Sequence, residues 1–163
     1  MSEHYIATEY AISQGVGVSL KRLPSFDKAL LDAGVGNYNL VRLSSILPAG
    51  CVEVDVDDIA SHIKEGSLLP TAYSTISSSK MGEHIVSTIV IGFPVDAEKV
   101  CVIMEYSVAD VDAETALRTL KDMIKEAFEE RGWELDHIKA TSAEADVDVE
   151  GATFTTFACV SEW

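Results

Sequence analysis

Long apolar runs are missing from this chain. Its apolar patches are short and interrupted, well below the roughly 18 consecutive residues a membrane helix needs. The first twenty residues show no basic front followed by an apolar stretch, so no signal peptide is expected and the cytoplasm is the expected location. Cysteine is scarce. Cys51, Cys101 and Cys159 are odd in number, lack CxxC spacing and sit in strand-like stretches, which reads as buried free thiols in a reducing compartment. His4, His62, His84 and His137 are equally scattered, with no HxxxH or HExxH, so no metal site is expected. There is no GxGxxG, no GxxxxGKS/T and no GxSxG. The glycines of GVGV and DAGVGN are too few and badly framed for a dinucleotide loop. Positive charge is also short. Twelve Lys and Arg stand against 27 Asp and Glu, a net charge of -15. Phosphate binding draws on Lys and Arg, so nucleic acid is disfavoured as a partner, and a cationic ligand fits better.

What is present is enough for one domain over residues 1–163, with 47% apolar residues to build a core. Residues 1–14 are weakly patterned and read as peripheral. GVGVSL at 15–20 reads as a short strand. PSFDKALLDAG at 24–34 reads as a short helix between Pro24 and Gly34, with Phe26, Leu30 and Ala33 on one face. Residues 38–44 alternate as a strand and end in a turn at Pro48 and Gly50. CVEVDVDD at 51–58 has strict period two, which predicts a strand with Val52, Val54 and Val56 inward. Further strands are expected after Pro70, at 84–93, at 99–109, at 133–145 and at 151–163. Over 110–131, Val111, Leu117, Leu120, Ile124 and Phe128 recur at helical spacing. Asp110 or Asp112 can cap the start of that helix, and Gly132 stops it. Strands outnumber helices too heavily for a doubly wound fold. The pattern predicts an α+β layered sandwich of mainly antiparallel strands with helices on the outer faces.

A few residues break the pattern. In NYNLVRLSSILP, 37–48, a strand ends in two adjacent serines, an apolar pair and a proline. The pattern fits an ordinary strand end. A strained turn in which the Ser45 hydroxyl attacks the Ser44 carbonyl is the sharper alternative, and the Ser-Ser dipeptide alone is a weak signal for it. Glu105 interrupts the apolar strand VIMEY. Alternation sets it on the face of Cys101 and Ile103, opposite Met104 and Tyr106. That face is either the wet one or partly buried, and burial would suit a general acid. Asp27 reads as a first-turn acid of its helix. Asn39, between apolar neighbours, is either an edge residue or a hydrogen-bond donor to a reacting carbonyl. The excess charge is uneven: residues 1–44 balance at four bases and four acids, so the whole excess lies in 45–163.

Taken together, FDKALLDAGVGNYNLVRLSSILP (26–48), LLPTAYSTISS (68–78), VIMEYS (102–107) and FEERGWEL (128–135) closely resemble the pyruvoyl-dependent arginine decarboxylases of archaeal type. The resemblance runs in order over roughly residues 15–163. It implies a proenzyme that cuts itself between Ser44 and Ser45 into a β chain, 1–44, and an α chain, 45–163. Attack by the Ser45 hydroxyl converts the amide to an ester. β-Elimination then releases the Ser44 carboxylate, and hydrolysis with loss of ammonia leaves a pyruvoyl group at position 45 as the only cofactor. The resemblance further implies that Asn39 serves processing and the active site, and that Glu105 is the proton donor. Asp27, Leu30, Gly36 and Ser44 lie by the substrate, a small cationic amino acid. The implied assembly is a homotrimer with a layered α/β/β/α fold and active sites between subunits. The implied activity is conversion of L-arginine to agmatine and carbon dioxide, a step toward polyamines. A pyruvoyl-dependent decarboxylase of another amino acid, and an unprocessed trimeric binding or regulatory protein, remain the alternatives.

Overall fold

The computed structural model describes residues 5–163. Residues 1–4, and with them His4, lie outside that range. In chain order the elements are β1 (Glu9–Ser19), α1 (Arg22–Asp32), β2 (Asn39–Arg42), β3 (Ile46–Leu47), β4 (Val52–Glu53), a 3-10 turn (Val56–Asp58), α2 (Ile59–His62), β5 (Leu68–Ser78), β6 (His84–Pro94), β7 (Cys101–Ala109), α3 (Ala113–Arg131), β8 (Leu135–Asp146) and β9 (Thr153–Glu162). They form two sheets, ordered β2-β5-β9-β1-β4 and β3-β7-β6-β8. All pairs are antiparallel except β1 with β4 and β2 with β5.

The sheets stack on a shared apolar layer of Tyr10, Leu47, Ala72, Ile89, Ile91, Cys101, Ile103, Ala158 and Val160. Full burial of each Ile or Val there contributes about 1.5–3 kcal/mol. α1 covers the outer face of the first sheet, where Ala29, Ala33 and Val35 meet Leu69, Phe157 and Cys159. α3 covers the second sheet through Leu120, Ile124 and Phe128 on Val90 and Val102. The order of layers is therefore α/β/β/α, the expected sandwich.

Glycine explains how closely the helices sit. A Cβ on Gly17 would lie 1.9 Å from the Ser25 carbonyl oxygen, and one on Gly15 would lie 2.3 Å from that of Ala29. The GVG run is thus a bare track on which α1 rests. The Ser25 hydroxyl pins the helix by a 2.7 Å hydrogen bond with the Thr155 hydroxyl. Gly92 does the same for α3, where a Cβ would lie 2.8 Å from Ile124.

α3 follows the sequence closely. The Asp112 carboxylate accepts from the Thr115 N–H at 2.7 Å, and Gly132 closes the helix at φ 63°. Three expectations need correction. Residues 9–14 are not peripheral: β1 begins at Glu9 and runs between β9 and β4, with Tyr10 and Ala11 buried. The 51–58 stretch is not a strand with three inward valines. Only Val52 and Glu53 pair, and Val52 is exposed. The Asp55 carboxylate accepts from the Asp57 N–H and starts the 3-10 turn, so local side-chain capping defeats the alternation. α1 begins at Arg22, not Pro24, so Asp27 lies beyond the first turn and is no N-terminal acid.

One core position is anomalous. Glu162 shares the inner face of β9 with Ala158 and Val160, is 7% exposed, and its Oε2 has no hydrogen-bond partner among the described residues. Burial pushes its carboxyl up from 4.5 to about 7.

Two outcomes follow for stability. Gly17→Ala should lower unfolding stability by roughly 1–3 kcal/mol, read from denaturant midpoints, because α1 must lift off its track. For Glu162, the folded chain holds a proton that the unfolded chain releases above pH 4.5. Stability therefore falls as pH rises from 4.5 to about 7 and levels off beyond. Glu162→Gln should gain up to about 3 kcal/mol over the parent at pH 8 and little at pH 4. Equal gains at both pH values would mean that titration plays no part.

Candidate active site

The chain changes sheets at the two serines. β2 ends at Arg42, and the last rung to β5 is the Leu43 N–H donating to the Thr71 carbonyl at 3.0 Å. Three residues later the chain joins the second sheet, where Ile46 and Leu47 pair with Val102 and Cys101 of β7. Leu47 is buried in the layer between the sheets, and Leu43 packs against that layer. The Ser44–Ser45 peptide is thus a short bridge anchored on both sides. Ser44 is exposed and Ser45 half-buried. The Ser45 carbonyl accepts from the Ile103 N–H at 2.7 Å, which fixes its backbone and leaves its hydroxyl outside that bond.

Glu105 stands two residues further along β7, opposite Ile89 of β6. It shares the inner face with Cys101 and Ile103, as the alternation predicts, and its side chain is 23% exposed. It is therefore not on a wet outer face but at the mouth of the layer between the sheets. Arg42 reaches across to it, with Nη2 donating to Glu105 Oε1 at 2.7 Å. The same Nη2 donates to the Tyr73 carbonyl at 3.2 Å, and the guanidinium lies 4.5 Å from the centre of the Tyr73 ring. β2 ends opposite Thr71, so the edge of β5 is open at Tyr73 and the guanidinium fills it. The sequence reading assigned Arg42 no role. Its signal was the arginine of the Asn-Leu-Val-Arg strand, two residues before the serines.

The other predicted residues lie apart from this crossing in a single chain. Asn39 stands at the far end of β2, where its side-chain amide donates to the Gly66 carbonyl at 2.8 Å. Asp27 and Leu30 line a shallow pocket of about 500 Å³ on α1 with Leu23, Pro24 and Phe26. Gly36 lines a different hollow of about 230 Å³ beside Leu31 and Asn37. A Cβ on Gly36 would lie 2.7 Å from Leu31 Cδ2, so the loop closes tightly on the end of α1. Neither hollow includes Ser45 or Glu105.

The remaining chemistry-bearing residues do not converge on the crossing. Burial pushes the Cys101 and Cys159 thiols up to about 11, which makes them poor nucleophiles. Among the described residues all three cysteines are free, and no group of three or more His, Cys, Asp or Glu is placed to hold a metal ion. No helix among them is long and apolar enough to cross a membrane. The constellation at the sheet crossing, one anchored serine pair with a carboxylate and a guanidinium, is therefore the strongest site.

Comparison with known proteins gives the family. Residues 9–160 match the sequence model of the family described as pyruvoyl-dependent arginine decarboxylase. A protein of that name from Methanococcus aeolicus is 40% identical over 149 residues, covering 91% of this chain and 86% of the relative. One from Methanocaldococcus jannaschii is 40% identical over 132 residues, covering 81% and 77%. One from Pyrococcus furiosus is 40% identical over 126 residues, covering 77% of each. With nearly the whole sandwich inside the match, the chain belongs to the pyruvoyl-dependent arginine decarboxylase family, whose cofactor is a pyruvoyl group formed from a serine of the protein itself.

Proposed function

We propose that this chain decarboxylates L-arginine to agmatine and carbon dioxide, after cutting itself between Ser44 and Ser45 into pieces 1–44 and 45–163. The carrying observation is the anchored crossing: a two-serine bridge between the sheets, with Glu105 opening onto it from the neighbouring strand. Position 45 fits a pyruvoyl group. It is half-buried, its carbonyl is fixed by Ile103, and the bond to residue 44 lies where no sheet would be torn by a cut. The Leu43 and Leu47 anchors hold both new ends in place.

A pyruvoyl group there supplies an electron-withdrawing carbonyl that takes up charge as carbon dioxide leaves. The chain's own residues do the rest. Glu105 delivers a proton to the substrate carbon that loses the carboxylate. Asn39 lies apart from the serines within one chain, so its amide would donate to the oxyanion at the Ser44 carbonyl from a neighbouring copy. Asp27 of a neighbouring copy would accept the substrate guanidinium in fork geometry, with Leu30 and Gly36 of that copy toward its methylenes and Ser44 of this one on the other side. The acidic excess of residues 45–163 draws in a cation.

The separation of Asp27, Leu30, Gly36 and Asn39 from Ser45 within one chain supports a site completed between copies. We assign the assembly as a homotrimer, on the family resemblance together with that separation. The cytoplasm, as the place of a self-sufficient enzyme that needs no imported cofactor, belongs to the same reading.

Intact mass after denaturation is the first test. The parent should appear as two pieces meeting at residues 44 and 45. Ser45→Ala should stay whole and make no agmatine. Given a panel of amino acids, the cut parent should release carbon dioxide from arginine in preference to acidic or neutral ones. An active parent still holding an unmodified serine at 45 in an unbroken chain would overturn the reading. Glu105→Gln should fold and melt like the parent, yet lose roughly 10²–10⁴-fold in kcat per cut chain.

A further inference from the structure

The reaction as read above uses Ser45 and Glu105 and leaves Arg42 without a task, although Arg42 bonds both Glu105 and the Tyr73 carbonyl and lies over the Tyr73 ring. We propose that Arg42 is a positioning residue for Glu105, holding its carboxylate at the mouth of the inter-sheet layer so that proton delivery is aimed at the carbon above residue 45. This rests on the function proposed above.

Three features carry it. The first is reach. Glu105 belongs to β7 of the second sheet and Arg42 to β2 of the first, so the 2.7 Å bond is a tie between the two sheets. The second is rigidity. An exposed arginine ordinarily wanders, and a lone surface ion pair is worth little. Arg42 is 56% exposed, but its guanidinium is fixed by the Tyr73 carbonyl at 3.2 Å and by stacking on the Tyr73 ring at 4.5 Å. Tyr73 itself packs against the buried cluster beneath α1. The carboxylate is thus held by one guanidinium nitrogen whose planar group is itself braced against the core. Its bond to Glu105 is also what chiefly raises the Arg42 guanidinium above its ordinary value. The third is placement across the cut. Arg42 lies on the piece that ends at Ser44, and Glu105 lies on the piece that begins at Ser45. The contact spans the break and keeps the proton donor referred to the end of the first piece.

The alternative for Arg42 is a structural strap with no bearing on proton delivery. A double-mutant cycle separates the two. Arg42→Gln, Arg42→Lys, Glu105→Gln and the double Gln variant are each assayed per mole of cut chain, with the cut fraction read by mass. If Arg42 acts through Glu105, Arg42→Gln should lose about 100-fold in kcat with KM within about threefold, the scale of a misplacement near 1 Å. Arg42→Lys, which keeps the charge but not the planar group stacked on Tyr73, should recover part of that loss. The double variant should be no slower than Glu105→Gln alone, to within about threefold.

Three results would overturn the proposal. One is Arg42→Gln with kcat within about twofold of the parent, or with the loss confined to KM. Another is a double variant that loses the product of the two single effects. The last is an Arg42→Gln chain that stays wholly uncut, since the role assigned is to the finished site. The parent assayed alongside keeps this apart from the function itself. A cut parent that makes no agmatine sinks the function and the positioning role with it. An active parent with an indifferent Arg42→Gln sinks the positioning role alone.

Discussion

The hydrogen bond from the Ile103 N–H to the Ser45 carbonyl is the point on which the site turns. It begins the pairing with the second sheet, two residues after the Leu43 N–H makes the last rung of the first. Upstream, the chain belongs to the first sheet through β2 and β5. Downstream, it belongs to the second through β3 and β7. The only backbone left unpaired between them is the stretch holding the Ser44–Ser45 peptide. A bond at such a place is accessible, because no ladder covers it. It is also constrained, because Leu43 and Leu47 are fixed in the core on either side. Access and constraint together are what an intramolecular backbone reaction requires.

The same crossing decides where charge can sit. A sandwich buries its inner faces, and the shared layer here is apolar throughout its centre. Carboxylates on inner faces occur at its ends. Glu105 stands at one mouth, partly exposed and paired with Arg42. Glu162 shares the inner face of its own strand with Ala158 and Val160 and has an oxygen without a partner, and its carboxyl holds its proton to about 7. Both glutamates lie on apolar strands and look alike in sequence. One has an arginine within hydrogen-bond reach, and the other has an oxygen left without a partner.

Much of the architecture was legible. The 3.6-residue rhythm of α3, its Asp112 cap and its Gly132 stop all appear as read, because those signals are local and uncontested. β6 is legible as a β-branched apolar run, and β7 and β9 as further strands. The failures share one cause. Val52, Val54 and Val56 alternate with acids as a strand would, but pairing needs a free edge, and β4 finds only two residues of β1. Glu9 to Gln14 looked featureless, yet β1 is gripped by β9 along its whole length. The GVGV glycines carried no hint of their purpose, since a smooth track for α1 has meaning only once α1 is above it.

Within the site, the sequence by itself determined which atoms are available: a serine pair flanked by apolar anchors, and one acid in an otherwise apolar strand. Chemistry of that kind resides in residue identity and local order, both of which a linear string preserves. Tertiary structure alone decided that the serine bridge spans two sheets, that Glu105 faces inward beside it, and that Arg42 joins the two. Those relations link residues 42, 45, 73 and 105, far apart along the chain. They arise from strand pairing and layer stacking, and no local pattern encodes which distant edge a strand will meet.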